Sequence, residues 1–273
     1  MKHIEIIDGN QSFTWYDNSQ NTILRSFTGF EYPTTRPVIE DIPARDGSLF
    51  VNSQFGRRRL SFQGDLLNPG VFTRRRDAIR PLTQGLKLLK FTTYDDLQLQ
   101  TRVNIERVVM PYNHQVHSYL IEAVAPDYRF YTQAQTTANT GITSFGGGTP
   151  VPAAVPAPVG GATTTPLQVS NQGQVPTPAI YTVRGPGTNF VVTNTTTGHE
   201  FRLNLTLTSA EQVVIDTLNR TATKGANQNV FGSFEGNWMF LYPGTNRIQF
   251  NAGVGSDSQT RLTVRFRSSY LGV

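Results

Sequence analysis

The chain has 273 residues, 24 Lys and Arg against 19 Asp and Glu, a formal net charge of +5 and no cysteine. That length suffices for two domains of ordinary size, and the lack of thiols excludes disulfides, thiolate metal centres and cysteine nucleophiles. Met1-Lys2-His3-Ile4-Glu5 lacks the apolar run of a signal peptide, and no segment approaches the roughly 18 apolar residues of a membrane span, so a soluble product made without export and without a membrane partner is expected.

Taken in chain order, Glu40-Asp41 before Pro43 reads as a pair of exposed turn formers. Arg57-Arg58-Arg59 then opens a strand in which alternation sends Arg58 to the side of Leu60 and Phe62, and Arg57 and Arg59 to the other. Three consecutive arginines therefore make no single basic patch. Asn68-Pro69-Gly70 followed by Phe72, Arg75, Ile79 and Leu82 at spacings of three and four predicts one helix, with Arg74-Arg75-Arg76 on it beside Asp77 and Gly85 as its stop. A hairpin is predicted from Leu86 to Met110, with Leu97, Leu99, Thr101, Val103 and Ile105 on one face and Tyr94-Asp95-Asp96 as its turn. Tyr119, Ile121 and Ala123 add a further strand that ends at Pro126.

No charged residue lies between Arg129 and Arg184, and Gly146-Gly147-Gly148-Thr149-Pro150 heads a tract with further prolines at Pro152, Pro156 and Pro158. Such a stretch cannot bury enough apolar area to offset its ordering entropy. It divides the chain into a domain over 1–134, a Gly/Pro-rich linker or arm over 135–166, and a domain over 167–273. In the latter, Phe201, Leu203, Leu205 and Leu207 alternate with Arg202, Asn204, Thr206 and Thr208. Val213-Val214-Ile215-Asp216-Thr217 follows as a short strand, with Asp216 expected to accept backbone amides of the next turn. Pro243-Gly244 then reverses the chain before Ile248, Phe250 and Ala252, and Leu262, Val264 and Phe266 mark the last strand. Trp238 and Phe240, two apart, are expected to point into one core. The fold class is mainly β: an antiparallel, sandwich-like first domain with one α-helix, and a β-sandwich second domain.

Chemistry is sparse. His114 and His117 are expected in a loop entering a strand, where residues three apart face opposite ways, so no metal site is assigned. Neither a Gly-x-Ser-x-Gly elbow nor a phosphate-cradling Gly-x-x-x-x-Gly-Lys-Ser/Thr loop occurs. The carboxylate pairs Asp95-Asp96 and Glu40-Asp41 sit where acids act as solvated turn formers rather than across a cleft. We assign no catalytic, cofactor or metal residue, expect no cofactor and no enzymatic activity, and leave interface residues unassigned.

The order of blocks is informative: Val169-Ser170-Asn171-Gln172-Gly173, Pro178-Ala179-Ile180, Val192-Thr193-Asn194-Thr195-Thr196-Thr197-Gly198, Val214-Ile215-Asp216-Thr217 and Leu241-Tyr242-Pro243-Gly244-Thr245-Asn246. This set resembles the carboxy-terminal domain of distal tail proteins of long, non-contractile-tailed phages. Gly56-Arg57-Arg58-Arg59-Leu60-Ser61-Phe62-Gln63-Gly64 and Ala125-Pro126-Asp127-Tyr128-Arg129-Phe130-Tyr131 are similar to that family's first domain. The resemblance implies a homo-hexameric ring at the distal end of the tail, closed by the first domains, with galectin-like second domains projecting outward. It implies as partners the tail tube protein, a tape-measure protein, a tail-associated hub or lysin protein, and receptor-binding or tip fibre proteins. DNA would pass through the ring without sequence-specific readout, and the protein would be made in the host cytoplasm and reside in the virion. A carbohydrate-binding adhesion module is the alternative reading, and a basic nucleic-acid contact protein the third.

Overall fold

The structure is a computed structural model that describes residues 1–17, 22–67, 84–111, 117–142, 162–163 and 165–273. It divides into two compact units, Met1–Gln133 with Tyr270–Val273, and Ala134–Ser269. Among the described residues strands dominate, and the helical content is one 3-10 turn, Phe231–Ser233. The helix predicted after Gly70 falls outside the described residues.

The first unit contains β1 (His3–Asp8), β2 (Gln11–Asp17), β3 (Thr22–Thr28), β4 (Thr35–Asp41), β5 (Ser48–Phe55), β6 (Arg58–Leu66), β7 (Lys87–Thr92), β8 (Gln98–Val109), β9 (His117–Ala125) and β10 (Phe130–Thr132). Seven of them form an antiparallel sheet in the order β2-β1-β7-β8-β9-β6-β3. The predicted hairpin is β7–β8, in register from Lys87 opposite Val103 to Thr92 opposite Gln98. Its turn holds Asp96 at φ 61°, in the left-handed region that a short Asp side chain tolerates. Alternation buries Leu99, Thr101, Val103 and Ile105, and is lost where a bulge between Ile105 and Arg107 shifts the pairing with β9. Gly64 is required by packing: a Cβ there would sit 2.0 Å from the Ile23 carbonyl oxygen and 2.8 Å from the Tyr119 hydroxyl. The core gathers Trp15, Phe62, Phe91, Tyr119, Ile121 and Phe130.

The second unit contains β11 (Thr136–Gly141), β12 (Ala162–Thr163), β13 (Leu167–Asn171), β14 (Ala179–Arg184), β15 (Gly187–Asn194), β16 (His199–Leu207), β17 (Gln212–Asp216), β18 (Thr221–Lys224), β19 (Gln228–Asn229), β20 (Phe234–Gly236), β21 (Gly244–Ala252) and β22 (Arg261–Phe266). One sheet runs β11-β22-β14-β17-β18-β19, and the other runs β12-β21-β15-β16-β20 with β13 also on β21. Inward residues of both sheets share one core built around Tyr181, Phe190, Phe201, Ile215, Phe250 and Leu262. This is a β-sandwich. The alternation read in β16, β21 and β22 is the burial pattern observed: Phe201, Leu203, Leu207, Ile248, Phe250, Leu262 and Val264 are buried.

Three details differ from expectation. The segment assigned to a linker from residue 135 begins with β11, which pairs along the whole of β22 from Thr136 opposite Phe266 to Gly141 opposite Arg261. Uncharged, Thr-rich sequence suits an edge strand as well as a spacer, and the free edge of β22 takes it up. Residues 143–161, the Gly/Pro tract itself, lie outside the described residues. The last four residues, assigned to the second domain, belong to the first unit, where the Val273 amide donates to the Phe30 carbonyl at 3.0 Å. Trp238 packs against the core from a half-buried position and Phe240 is also half-buried, while Met239 between them is fully buried, because residues 237–240 are not strand and period-two reasoning places the wrong side chain inward.

Candidate assembly surface

β4 and β5 form a two-stranded sheet of their own, joined to no other strand among the described residues. The sequence explains the hairpin. β-branched Val38, Ile39 and Val51 favour extended backbone, Asp46-Gly47 supplies the turn with Gly47 at φ 103°, and the Ile42 amide closes it onto the Gly47 carbonyl at 3.4 Å. Thr35 faces Phe55 at the root and Asp41 faces Ser48 at the tip, where the Ser48 hydroxyl donates to Asp41 Oδ1 at 2.9 Å. A bulge opposite Val38 and Ile39 adds local twist.

Every residue of both strands is exposed. Ile39 pairs with Phe50 on one face, at 56% and 62% exposure, while Val38 and Leu49 lie on the other. Apolar side chains on both faces of one ribbon, with both edges unpaired, are unusual for a folded surface: such a ribbon is marginal alone and offers edges for another chain. The sequence reading passed over this hairpin because Leu49-Phe50-Val51 runs apolar without alternation and so points to no core face. The Asp-Gly between two β-branched runs was the available signal.

At the root, Phe55 stacks on Tyr128 at 4.7 Å and the Gly56 amide donates to the Thr34 carbonyl at 3.0 Å. Beneath lies Arg58, on the core side as alternation requires and 3% exposed. Its guanidinium donates to the carbonyls of Gly29 (2.7 Å), Glu31 (2.5 Å), Tyr128 (2.8 Å) and Leu271, and sits 4.1 Å from the Phe130 ring centroid. Burial lowers its pKa to about 10, against the opposing pull of Glu31 and Asp127. It is therefore charged at neutral pH, stabilised by carbonyl dipoles and an aromatic face rather than by a hydrogen-bonded carboxylate. Arg57 and Arg59 point outward and are exposed.

The other residues singled out from sequence are dispersed. Glu40 and Asp41 are exposed at the end of β4. Asp96 pairs with Lys2 Nζ at 2.7 Å. Asp216 Oδ1 accepts the amides of Leu218 (2.9 Å) and Asn219 (3.1 Å), the turn role foreseen for it. His117 opens β9, whereas His114 lies outside the described residues. Trp238 is half-buried and stacked between Phe234 at 4.3 Å and Phe231 at 6.0 Å, with Phe234 in turn on Phe201 at 5.6 Å. Phe231, 53% exposed, ends this stack at the surface.

Comparison with known proteins adds a name to this architecture. Residues 172–270, most of the second unit, match the family described as siphovirus-type tail component, C-terminal domain. The second unit thus carries the C-terminal domain of a siphovirus-type tail component. No curated protein matches the sequence. Among solved structures, the distal tail protein of phage SPP1, described as a paradigm of the hub adsorption apparatus in phages infecting Gram-positive bacteria, aligns with a TM-score of 0.64 at 13% identity, over 97% of this chain and 98% of that one. A chain of the phage P2 baseplate in its activated conformation with calcium aligns with a TM-score of 0.51 at 10% identity over the full length of both. At such identities these likenesses establish the fold. The match of the second unit supports a structural role in a phage tail, which implies a place in the virion.

Proposed function

We propose that the protein is the hub at the distal end of a long, non-contractile tail, where copies of the chain close into a ring through their first units. Six is the number the family resemblance implies. The observation that carries the reading is the β4–β5 hairpin, whose apolar faces are exposed and whose outer edges pair with no other strand among the described residues. A heterologous contact repeated around an axis covers every such ribbon and leaves no edge open. Fully burying a Leu, Ile or Phe side chain contributes about 1.5–3 kcal/mol, so Ile39, Leu49 and Phe50 together supply several kcal/mol per interface toward the cost of association.

In this reading the ring joins the tail tube and tape-measure protein on one side to a tail-associated hub or lysin protein and to receptor-binding or tip fibre proteins on the other. DNA passes through its centre without base readout. The sandwich of the second unit is a docking platform for tip proteins, and the role is structural rather than enzymatic. The test is the mass of the full-length protein in solution by light scattering and native mass spectrometry: a closed six-copy species is expected at micromolar concentration, and a monomer alone overturns the reading. A second reading, a carbohydrate-binding adhesion module, draws on the surface stack of Phe231 and Trp238.

A further inference from the structure

The hairpin is electrically polarised along its length. Its tip carries Glu40, Asp41 and Asp46 against Arg45 alone. Its root borders an open cleft lined by Arg36, Arg57 and Arg59, with Tyr32 and Phe55 as aromatic walls and Glu31 as the acid present. The Glu31 carboxylate is engaged by the Gly29 amide at 2.8 Å, and the buried guanidinium of Arg58 adds a further cation behind the cleft wall. Among the described residues no side chain forms an ion pair with Arg36, Arg57 or Arg59, nor with Glu40, Asp41 or Asp46. Tip and root of one hairpin cannot meet each other: a strand rises about 3.3 Å per residue, so the seven residues of β4 hold them roughly 20 Å apart.

We propose that the acidic tip of the β4–β5 hairpin of one copy seats in the arginine-lined cleft at the hairpin root of the next copy. The proposal rests on the ring reading above and names its contact. Shape and chemistry agree with it: Ile42 and Pro43 at the tip supply a small apolar nose, with Ile42 37% exposed, that meets Tyr32 and Phe55. The surrounding carboxylates meet Arg36, Arg57 and Arg59. Because tip and cleft are different surfaces, the contact is heterologous and propagates from copy to copy, which an isologous pairing of hairpin to hairpin would not do. Opposite charges also fix the direction in which copies follow one another around the axis.

The experiment uses the full chain with charges reversed at either end of the contact. Glu40→Arg with Asp46→Arg, and separately Arg57→Glu with Arg59→Glu, are expected to raise the concentration needed for half-assembly by at least about tenfold, since like charges then face each other. The chain carrying all four reversals regains assembly to within a few-fold of the unaltered protein. All these positions are exposed, so thermal melting of each variant stays unchanged, and a melting shift would report misfolding instead. As an independent readout, Asp46→Cys with Arg57→Cys introduces the sole thiols of the chain, and a short bismaleimide is expected to link copies into a ladder, whereas either single variant gives no product beyond a dimer. Assembly that ignores both reversals, reversals that do not rescue one another, or no ladder, each overturns the tip-to-cleft contact while the ring reading stands. A monomer from the unaltered chain overturns both.

Discussion

Asn194 Nδ2 donates to Asn246 Oδ1 at 2.9 Å, with both residues fully buried in the second unit. One is the asparagine of Val192-Thr193-Asn194-Thr195, the other ends Leu241-Tyr242-Pro243-Gly244-Thr245-Asn246, so two of the blocks that carry the family resemblance meet at a single hydrogen bond. Asn246 also donates to the carbonyls of Tyr242 (2.7 Å) and Gly244 (3.2 Å) and accepts the Tyr242 amide at 3.1 Å, while Asn194 Oδ1 accepts the Thr196 amide at 3.1 Å. Each side chain ties its own turn, and the shared bond ties the turns together.

Removing Asn246 therefore strands several buried polar groups at once. Asn246→Ala is expected to destabilise the protein by about 2–4 kcal/mol, given roughly 1–3 kcal/mol for each unsatisfied buried group. Asn246→Asp is expected to be no better, because it sets a carboxylate oxygen against two carbonyls. Urea unfolding followed by the fluorescence of Trp238 checks both, and a loss below about 0.5 kcal/mol contradicts the account.

Arg58 performs a comparable role in the first unit, gathering the carbonyls of residues 29, 31, 128 and 271 around one cation. Arg58→Met is expected to cost about 3–5 kcal/mol, because several carbonyls lose their donor and each buried group left unsatisfied costs roughly 1–3 kcal/mol. Arg58→Lys also falls short, since an ammonium cannot reproduce the planar fork. Hydrogen exchange of the Val273 amide, bonded to the Phe30 carbonyl at 3.0 Å, reports the loss locally by speeding up in both variants.

Phe50→Ser and Leu49→Ser separate an interface from a core. Both side chains are exposed, at 62% and 57%, so the unfolding free energy of the monomeric chain stays within about 0.5 kcal/mol. Assembly measured by light scattering is expected to weaken by tenfold or more, corresponding to about 1.4 kcal/mol per interface. Equal loss in both measurements would return these residues to an ordinary structural role.

Trp238→Ala removes the middle of the Phe231–Trp238–Phe234 stack. Being half-buried, it is expected to cost about 1–3 kcal/mol, less than the roughly 3–5 kcal/mol of a fully buried tryptophan. Phe231→Ala leaves the fold intact. Trp238 is half-buried and stacked with two rings, at 4.3 and 6.0 Å, which leaves little of it for a sugar, and glycan-array binding by the full chain is expected to be absent. Binding that disappears on Phe231→Ala would favour the carbohydrate reading.

Acid sensitivity has a local source at Glu200. The Arg202 guanidinium at 2.7 Å, followed by the Thr193 hydroxyl at 3.0 Å, holds its carboxyl below the ordinary value of 4.5. A depressed folded value means that the contribution is present above the unfolded pKa and lost as pH falls through the folded one. The side chain is 34% exposed, so solvent screening limits the effect to a few tenths of a kcal/mol. Glu200→Gln is expected to flatten the melting curve's pH dependence slightly between about pH 5 and pH 3.

Much of the fold is legible in period-two patterns. The core faces of β8, β16, β21 and β22 follow from alternation, as does the inward direction of Arg58, because side-chain direction in a strand is a local property of the pleat. Asp216 was legible for the same reason, since the amides that donate to it lie within three residues. Where the backbone leaves the strand, at residues 237–240, the rule has no purchase and Met239 takes the core position.

The amino-acid sequence by itself determined that this is a cysteine-free, mainly antiparallel β protein whose second half is a sandwich, and, through its ordered blocks, the tail-component family that its second unit matches. Only the tertiary structure decided which distant groups meet: Asn194 with Asn246, Arg58 with the carbonyl of Leu271, β11 with β22, and the β4–β5 ribbon with no further strand among the described residues. Alternation is set by neighbours two residues apart, whereas register and partner are set by groups tens to hundreds of residues away, competing for the same buried hydrogen bonds and apolar surface. A ribbon that pairs with no further strand among the described residues becomes visible only once the other strands have found their partners.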